Sequence, residues 1–272
     1  MTETSPGLRC AVDGEIATIT IDHPAKRNAM TADMYSEFPP LLTKLEADPA
    51  VRVVILTGQG STFCAGADIS DLGRIGQGDQ DLTIAAEEAL AAFTKPVIAQ
   101  IRGYCYGGAC QLAAACDLRI AADDARFAIT PAKLGILYPA SALQRLVRLA
   151  GPAPVKYLVY SAADIDAERA LREGFFNEVV PADRLAERVY ETARTIAARS
   201  QFTVRASKDI IDRIADGTLE NAAVQRWQDA MEEAGDNREG RSAFLERREP
   251  RFGWTGFMPD GPGEGSVRRP RD

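Results

Sequence analysis

The eight residues VRVVILTG, at 51–58, constrain the fold more than any other stretch of this chain. The run is almost entirely apolar, rich in β-branched residues and closed by glycine. Such a segment reads as a strand buried on both faces, so further layers must cover its sheet above and below. KPVIAQIRG and DLRIAA repeat the pattern farther along. Between them DLTIAAEEALAAF reads as a helix, and GGACQLAAAC as a shorter, Ala- and Cys-rich one. Strand, loop, helix, strand in this order implies parallel pairing with crossover helices, which is the α/β class. Upstream, CAVDGEIATITID carries a D-G turn and predicts a hairpin whose second strand is EIATITID. A helix is expected from about residue 31, with Pro39 and Pro40 kinking or breaking it.

From residue 125 the pattern changes. ARFAITP reads as a short strand and SALQRLVRLAG as a helix stopped by glycine. Residues 152–161 and 166–174 predict two more helices, and FFNEVVP returns as a strand. Beyond residue 182 nearly everything has helical spacing. The pattern divides the chain into an α/β core over 1–195, a helical part over 196–255, and a Pro-, Gly- and charge-rich tail over 256–272 expected to be disordered.

The charge balance excludes several functions. Against 32 Lys and Arg stand 39 Asp and Glu, a net charge of −7 over 272 residues, with no basic stripe carrying interleaved aromatics. Nucleic acid is therefore not an expected partner. The apolar runs are too short to span a bilayer, and MTETSPGLRC has neither the basic nor the apolar part of a leader, so a cytoplasmic protein with no membrane association is expected. None of the five cysteines forms a C-x-x-C pair, and they read as reduced packing residues. The single histidine, His23, precedes Pro24; it reads as a turn residue and excludes a multi-histidine metal site, so no metal is expected. Neither G-x-G-x-x-G nor G-x-x-x-x-G-K-[ST] occurs.

Chemistry has two natural places. Ala65-Gly66-Ala67-Asp68-Ile69 follows the first buried strand, and Gly107-Gly108-Ala109 opens the short helix. Small residues there leave backbone N–H groups uncovered, and the first turn of a helix leaves its amides unpaired. Two such amides facing one point could hold an oxygen that becomes an enolate, although the same small residues could serve close helix–sheet packing alone.

FCAGADI, then KPVIAQIRGYCYGGACQLAAACDLRIAA, then ARFAITPAKLGILYPASALQRL, resembles the crotonase (enoyl-CoA hydratase/isomerase) superfamily. HPAKRNAM and FLERREPRF resemble its terminal signatures, so the likeness spans roughly residues 10–255. It implies a crotonase-type spiral of ββα units, a helical C-terminal trimerisation region with a homotrimer or hexamer, and an acyl-CoA thioester as ligand. CoA would enter only as part of the substrate, with no separate cofactor. By the same resemblance the amides of Ala67 and Gly108 form the oxyanion hole. Ala65, Ala67, Asp68, Ile69 and Ser70 line the acyl-CoA site, and Lys26, Arg27 and Arg247 lie near the CoA phosphates.

Hydratases of this superfamily carry glutamates where this chain has Gln111 and Pro131. A glutamate can hold and release a proton near neutral pH, whereas a glutamine amide does not titrate and proline has no functional group. The segment Phe127-x-x-Thr130-Pro131-x-x-Leu134-Gly135-x-x-Tyr138 is similar to the methylmalonyl-CoA decarboxylase type, in which the equivalent Thr contacts ligand and the Tyr lies over the reacting carboxylate. That type has a histidine where this chain has Ala67. Loss of CO2 itself generates an enolate and needs no base, so an oxyanion hole with Tyr138 and Gln111 beside it could suffice. Three readings follow: a lyase that decarboxylates a malonyl-type thioester, a hydratase or isomerase with relocated acid and base, or a non-catalytic acyl-CoA-binding protein. Lys133 and Ser141, flanking the same loop, are candidates to replace the lost polar groups, although Ser141 also reads as a helix cap.

Overall fold

The computed structural model describes residues 5–76 and 81–256. The parallel pairing expected from the three apolar runs is present. Strands β1 (Gly7–Asp13) and β2 (Ile16–Asp22) form the antiparallel hairpin, and β3 (Val53–Gly58) joins β2 in parallel. Helix α1 (Ala32–Ala47) links β2 to β3. The short α2 (Leu72–Ile75) and α3 (Leu82–Ala91) lie between β3 and β4 (Val97–Ile101). Then come β5 (Tyr104–Tyr106), α4 (Gly108–Ala115), β6 (Leu118–Ala122) and β7 (Arg126–Ala128). Helices α5 (Ala140–Ala150) and α6 (Pro152–Ser161), strand β8 (Asp164–Asp166), helix α7 (Ala167–Glu173) and strand β9 (Glu178–Val180) follow.

These strands build a six-stranded sheet in the order β1-β2-β3-β4-β6-β9 and a three-stranded sheet in the order β5-β7-β8. Covering the larger sheet takes two separate apolar clusters. On one face Ile19, Leu56 and Ala99 join Phe38, Leu90 and Leu112 of α1, α3 and α4. On the other, Ile55, Ile98 and Ile120 join Val189 and Ala193 of α8 (Leu185–Ala197). The alternating strand positions thus serve opposite faces, as the absence of polar alternation in VRVVILTG requires.

Pro39 and Pro40 do not break α1, which runs on to Ala47. Each proline removes one i→i−4 bond, at a cost of about 3 kcal/mol in a helix interior. The buried stripe Met34, Tyr35, Phe38, Leu42 and Leu45 holds the helix against the core on both sides of the pair. The first turn is also fixed, because the Thr31 hydroxyl accepts from Met34 N–H at 3.3 Å and the Ala32 N–H donates to Asp71 Oδ2 at 2.7 Å.

The chain divides after Ala198 into two compact units. The second, from Arg199 on, contains α9 (Gln201–Asp216), α10 (Asn221–Ala234) and α11 (Asp236–Glu246). Its own aromatic centre is Phe202, Trp227 and Trp254, with ring centroids 5.4 Å apart from Phe202 to either tryptophan. The tail expected to be disordered lies outside the described residues except at Gly256. No helix among the described residues is long and apolar enough to cross a membrane.

Candidate active site

The segment after β3 is held by two short bridges, Cys64 to Cys105 of β5 and Ala67 to Met30. In the second, Met30 N–H donates to Gly66 O at 2.8 Å and Asp68 N–H donates to Met30 O at 2.8 Å. Successive N–H groups of an extended segment point to opposite sides. The Ala67 N–H between them therefore faces away from Met30, and it has no acceptor among the described residues. It faces the start of α4. There Gly107 adopts φ 53°, a conformation that favours glycine, and Gly108 becomes the first helical residue. The Gly108 amide also has no acceptor among the described residues, as the first amides of a helix have none within it.

Gly66 and Gly108 let these backbones approach. A Cβ on Gly66 would lie 2.7 Å from Tyr106 O and 3.3 Å from Gly108 N. One on Gly108 would lie 2.7 Å from the Tyr35 hydroxyl and 3.5 Å from Ala67 N. Glycine at 108 thus keeps open a small space bordered by both free amides. The arrangement can receive an oxygen that gains negative charge.

One turn into α4, Gln111 is buried, and its Nε2 donates to Glu87 Oε2 at 2.7 Å and to Thr83 Oγ1 at 3.3 Å. Glu87, on α3, has no solvent exposure. The Ser141 hydroxyl donates to the same Oε2 at 3.0 Å, and Arg145 pairs with Oε1. Burial pushes the Glu87 carboxyl above its ordinary range, against the pull of Arg145, Gln111 and Ser141. Ser141 lies within the first turn of α5, whose cap position is Pro139, so its hydroxyl serves Glu87 and is not a helix cap. Lys133 is exposed.

Sequence reasoning missed Glu87 and Arg145. The signal lay in DLTIAAEEALAAF: Thr83, Ala86, Glu87 and Leu90 share the i, i+3, i+4, i+7 stripe that faces the core. A glutamate inside an apolar stripe is a buried charge in need of partners.

Tyr138 is buried, and its hydroxyl donates to Gly107 O at 2.9 Å. Thr130 Oγ1 lies 3.1 Å from where a Cβ on Gly107 would be. The structure thus brings Thr130 and Tyr138 to the glycine turn beside the two amides, with the Tyr138 proton committed to the backbone. Pro131 begins a single 3-10 turn after Thr130 and is partly exposed.

The expected phosphate contacts are less free than their charges suggest. Lys26 Nζ donates to Asp68 Oδ2 at 2.6 Å and to Ser70 Oγ at 2.8 Å. Burial pushes the Asp68 carboxyl up, but Lys26 and the Ser70 hydroxyl and amide outweigh it and hold the carboxyl at about 2. The Arg27 guanidinium lies over the Tyr104 ring, 4.9 Å from its centroid. Ala65 is partly exposed and Ile69 exposed. Arg247 belongs to the second unit, where it closes α11 in the left-handed region with an exposed side chain. The cysteines act as packing residues: Cys64, Cys105, Cys110 and Cys116 are buried free thiols, while Cys10 is exposed. Burial pushes Cys64 up to about 12. His23 is a turn residue, with Nδ1 2.8 Å from Ala29 O. Among the described residues no group of three or more His, Cys, Asp or Glu is placed to hold a metal ion.

A family model described as Enoyl-CoA hydratase/isomerase matches residues 12–255. A crotonyl-CoA hydratase of Syntrophomonas wolfei is 35% identical over 253 residues, covering 88% of this chain and 94% of that protein. A probable enoyl-CoA hydratase of Mycobacterium bovis is 34% identical over 244 residues, covering 88% and 95%. Among solved structures, an enoyl-CoA hydratase/isomerase family member superposes with a TM-score of 0.87 at 38% identity, covering 92% of this chain and 99% of that one. An enoyl-CoA hydratase of Bacillus anthracis superposes with a TM-score of 0.82 at 30% identity, covering 90% and 98%.

Proposed function

Because the chain belongs to the enoyl-CoA hydratase/isomerase family, we propose that it is a hydratase or isomerase acting on an acyl-CoA thioester, with its acid/base carboxyl relocated to Glu87. The observation that carries the thioester reading is the pair of unpaired N–H groups of Ala67 and Gly108 bordering one space. A thioester oxygen bound there gains charge when a proton leaves the neighbouring carbon or a nucleophile adds to the double bond. Preorganised amides stabilise that charge without reorganising.

Gln111 cannot exchange a proton, but it is hydrogen-bonded to a group that can. Glu87 is the one carboxylate bonded to Gln111 among the described residues. It stands behind the residue that sits about one turn from the Gly108 amide, and a proton would reach it through the Ser141 hydroxyl, which passes its own proton to Oε2 as it takes up another. Burial raises its pKa toward the range in which a carboxyl can both take and give a proton. The Nε2 bonds to Glu87 and Thr83 leave the Gln111 carbonyl as its remaining polar atom, an acceptor suited to orienting a water or a substrate hydroxyl.

The decarboxylase reading has less behind it. Tyr138 already donates its proton to Gly107 O, and the relatives found are named as hydratases. A second reading, binding without turnover, draws on the same Glu87 network, because both carboxylate oxygens are engaged. The deciding experiment incubates the protein with enoyl-, β,γ-unsaturated and malonyl-type CoA thioesters, reading hydration and CO2 loss by mass and isomerisation by the absorbance of the conjugated enoyl thioester. Hydrated or isomerised product is expected. CO2 as the only product would restore the decarboxylase, and tight binding with no product would make this a binding protein.

A further inference from the structure

Tyr35 brings a polar group to this site that neither packing nor the fold requires. It lies in the first turn of α1, and its ring is buried in the main core. Its hydroxyl is buried with no hydrogen-bond partner among the described residues. Buried polar groups are nearly always paired, and an unmatched one calls for a partner. A phenylalanine would fill the same volume. The hydroxyl borders the space that Gly108 keeps open: a Cβ there would stand 2.7 Å from the hydroxyl oxygen and 3.5 Å from Ala67 N. Three donors therefore line one small volume, two from the backbone and one from Tyr35, and none has an acceptor within the described chain.

We propose that the Tyr35 hydroxyl is a third donor to the thioester oxygen, completing the oxyanion hole and strengthening as that oxygen acquires enolate charge. This inference rests on the acyl-CoA reading above. Burial pushes the phenol well above its ordinary value, so at neutral pH it keeps the proton it must donate. The orphaned hydroxyl is then a group held ready for the ligand. Gly108 is needed for space, because any side chain there would meet the hydroxyl.

Acetoacetyl-CoA is the probe. Its methylene lies between two carbonyls, so it forms an enolate by losing a proton to the buffer, and the enolate absorbs in the near ultraviolet where the keto form does not. Wild type and Tyr35→Phe are each saturated with the probe, and the enolate fraction is followed against pH. Losing one hydrogen bond to a charged oxygen should lower the enolate equilibrium roughly 10- to 100-fold in the variant. Thermal stability of the free variant should be unchanged or higher, because no partner within the protein is lost. An enolate equilibrium identical in the two proteins overturns the role of Tyr35 while leaving the acyl-CoA reading intact. A wild type that binds no CoA thioester up to millimolar concentration in calorimetry overturns both.

Discussion

Gln111 is the residue at which sequence and structure speak to each other most directly. A neutral amide in a buried helix is chemically mute alone, but here its Nε2 is 2.7 Å from the Glu87 carboxylate. Gln111→Glu would set two carboxyls against each other at that distance. Like charges so close cannot both ionise, so one carboxyl would keep a raised pKa in the folded protein. A raised folded pKa contributes stability that is present below the unfolded value and lost as pH rises through the folded one. The variant should therefore be destabilised by about 1–3 kcal/mol at neutral pH and recover toward wild type on acidification, in denaturant melts at several pH values. Asp68 has the opposite sign. Its pKa is depressed to about 2 from 3.8 by Lys26 and Ser70, against burial. That contribution is complete above the unfolded value and is lost as pH falls toward 2. Lys26→Met should flatten this part of the acid limb and cost about 1 kcal/mol at pH 7, since the lysine is half exposed. The Ala67 and Gly108 positions, and the chemical silence of Gln111, were legible in the residues and the resemblance. The partners of Gln111 were not: the stripe holding Glu87 can be read in DLTIAAEEALAAF, but a pattern within one helix does not say that α3 sets Glu87 against a residue 24 positions away.

At the scale of elements, legibility followed burial. β3, β4 and β6 are buried on both faces, and their sequences say so. β5 and β8 went unread because β5 is three residues set between Gly103 and Gly107, and β8 is a single isoleucine between two aspartates, so neither shows an apolar run. The proline pair misled for the opposite reason: a strong local rule lost to the stripe from Met34 to Leu45. The start of α4 was readable as a helix with glycines at its head. Why both must be glycine was not, since Gly107 needs a positive φ while Gly108 needs room. Gly108→Ala should consequently leave the fold intact by circular dichroism and remove most turnover. We expect a loss of at least about 10²-fold in kcat, the scale of losing one oxyanion donor, because the methyl group would occupy the ligand's place. Activity within a few fold of wild type would mean that the thioester oxygen sits elsewhere.

For the whole molecule, the two units present apolar surface that a lone chain has little reason to expose. Leu137 and Tyr160 in the first unit, and Ile211, Ile214, Phe244 and Leu245 in the second, are largely exposed. Self-association into a trimer or a hexamer would cover such surface. Light scattering should accordingly give three or six chains per particle, and a monomer at micromolar concentration would remove the oligomer from the account. The architecture could be read from the sequence because α/β layering is dictated by two-faced strands. The chemistry could not, because the proposed proton-transfer group lies on a different helix from Gln111, 24 residues away in sequence. The most direct test of that claim is the pH–rate profile for an enoyl-CoA thioester with wild type and Glu87→Gln. Wild-type kcat/KM should fall on acidification with a midpoint above the ordinary carboxylate value of 4.5, as the raised Glu87 carboxyl takes up its proton. Glu87→Gln should be slower by about 10²- to 10⁴-fold and should lose that limb. A variant that keeps wild-type turnover and the same acid limb would contradict the relocation of acid/base chemistry to Glu87.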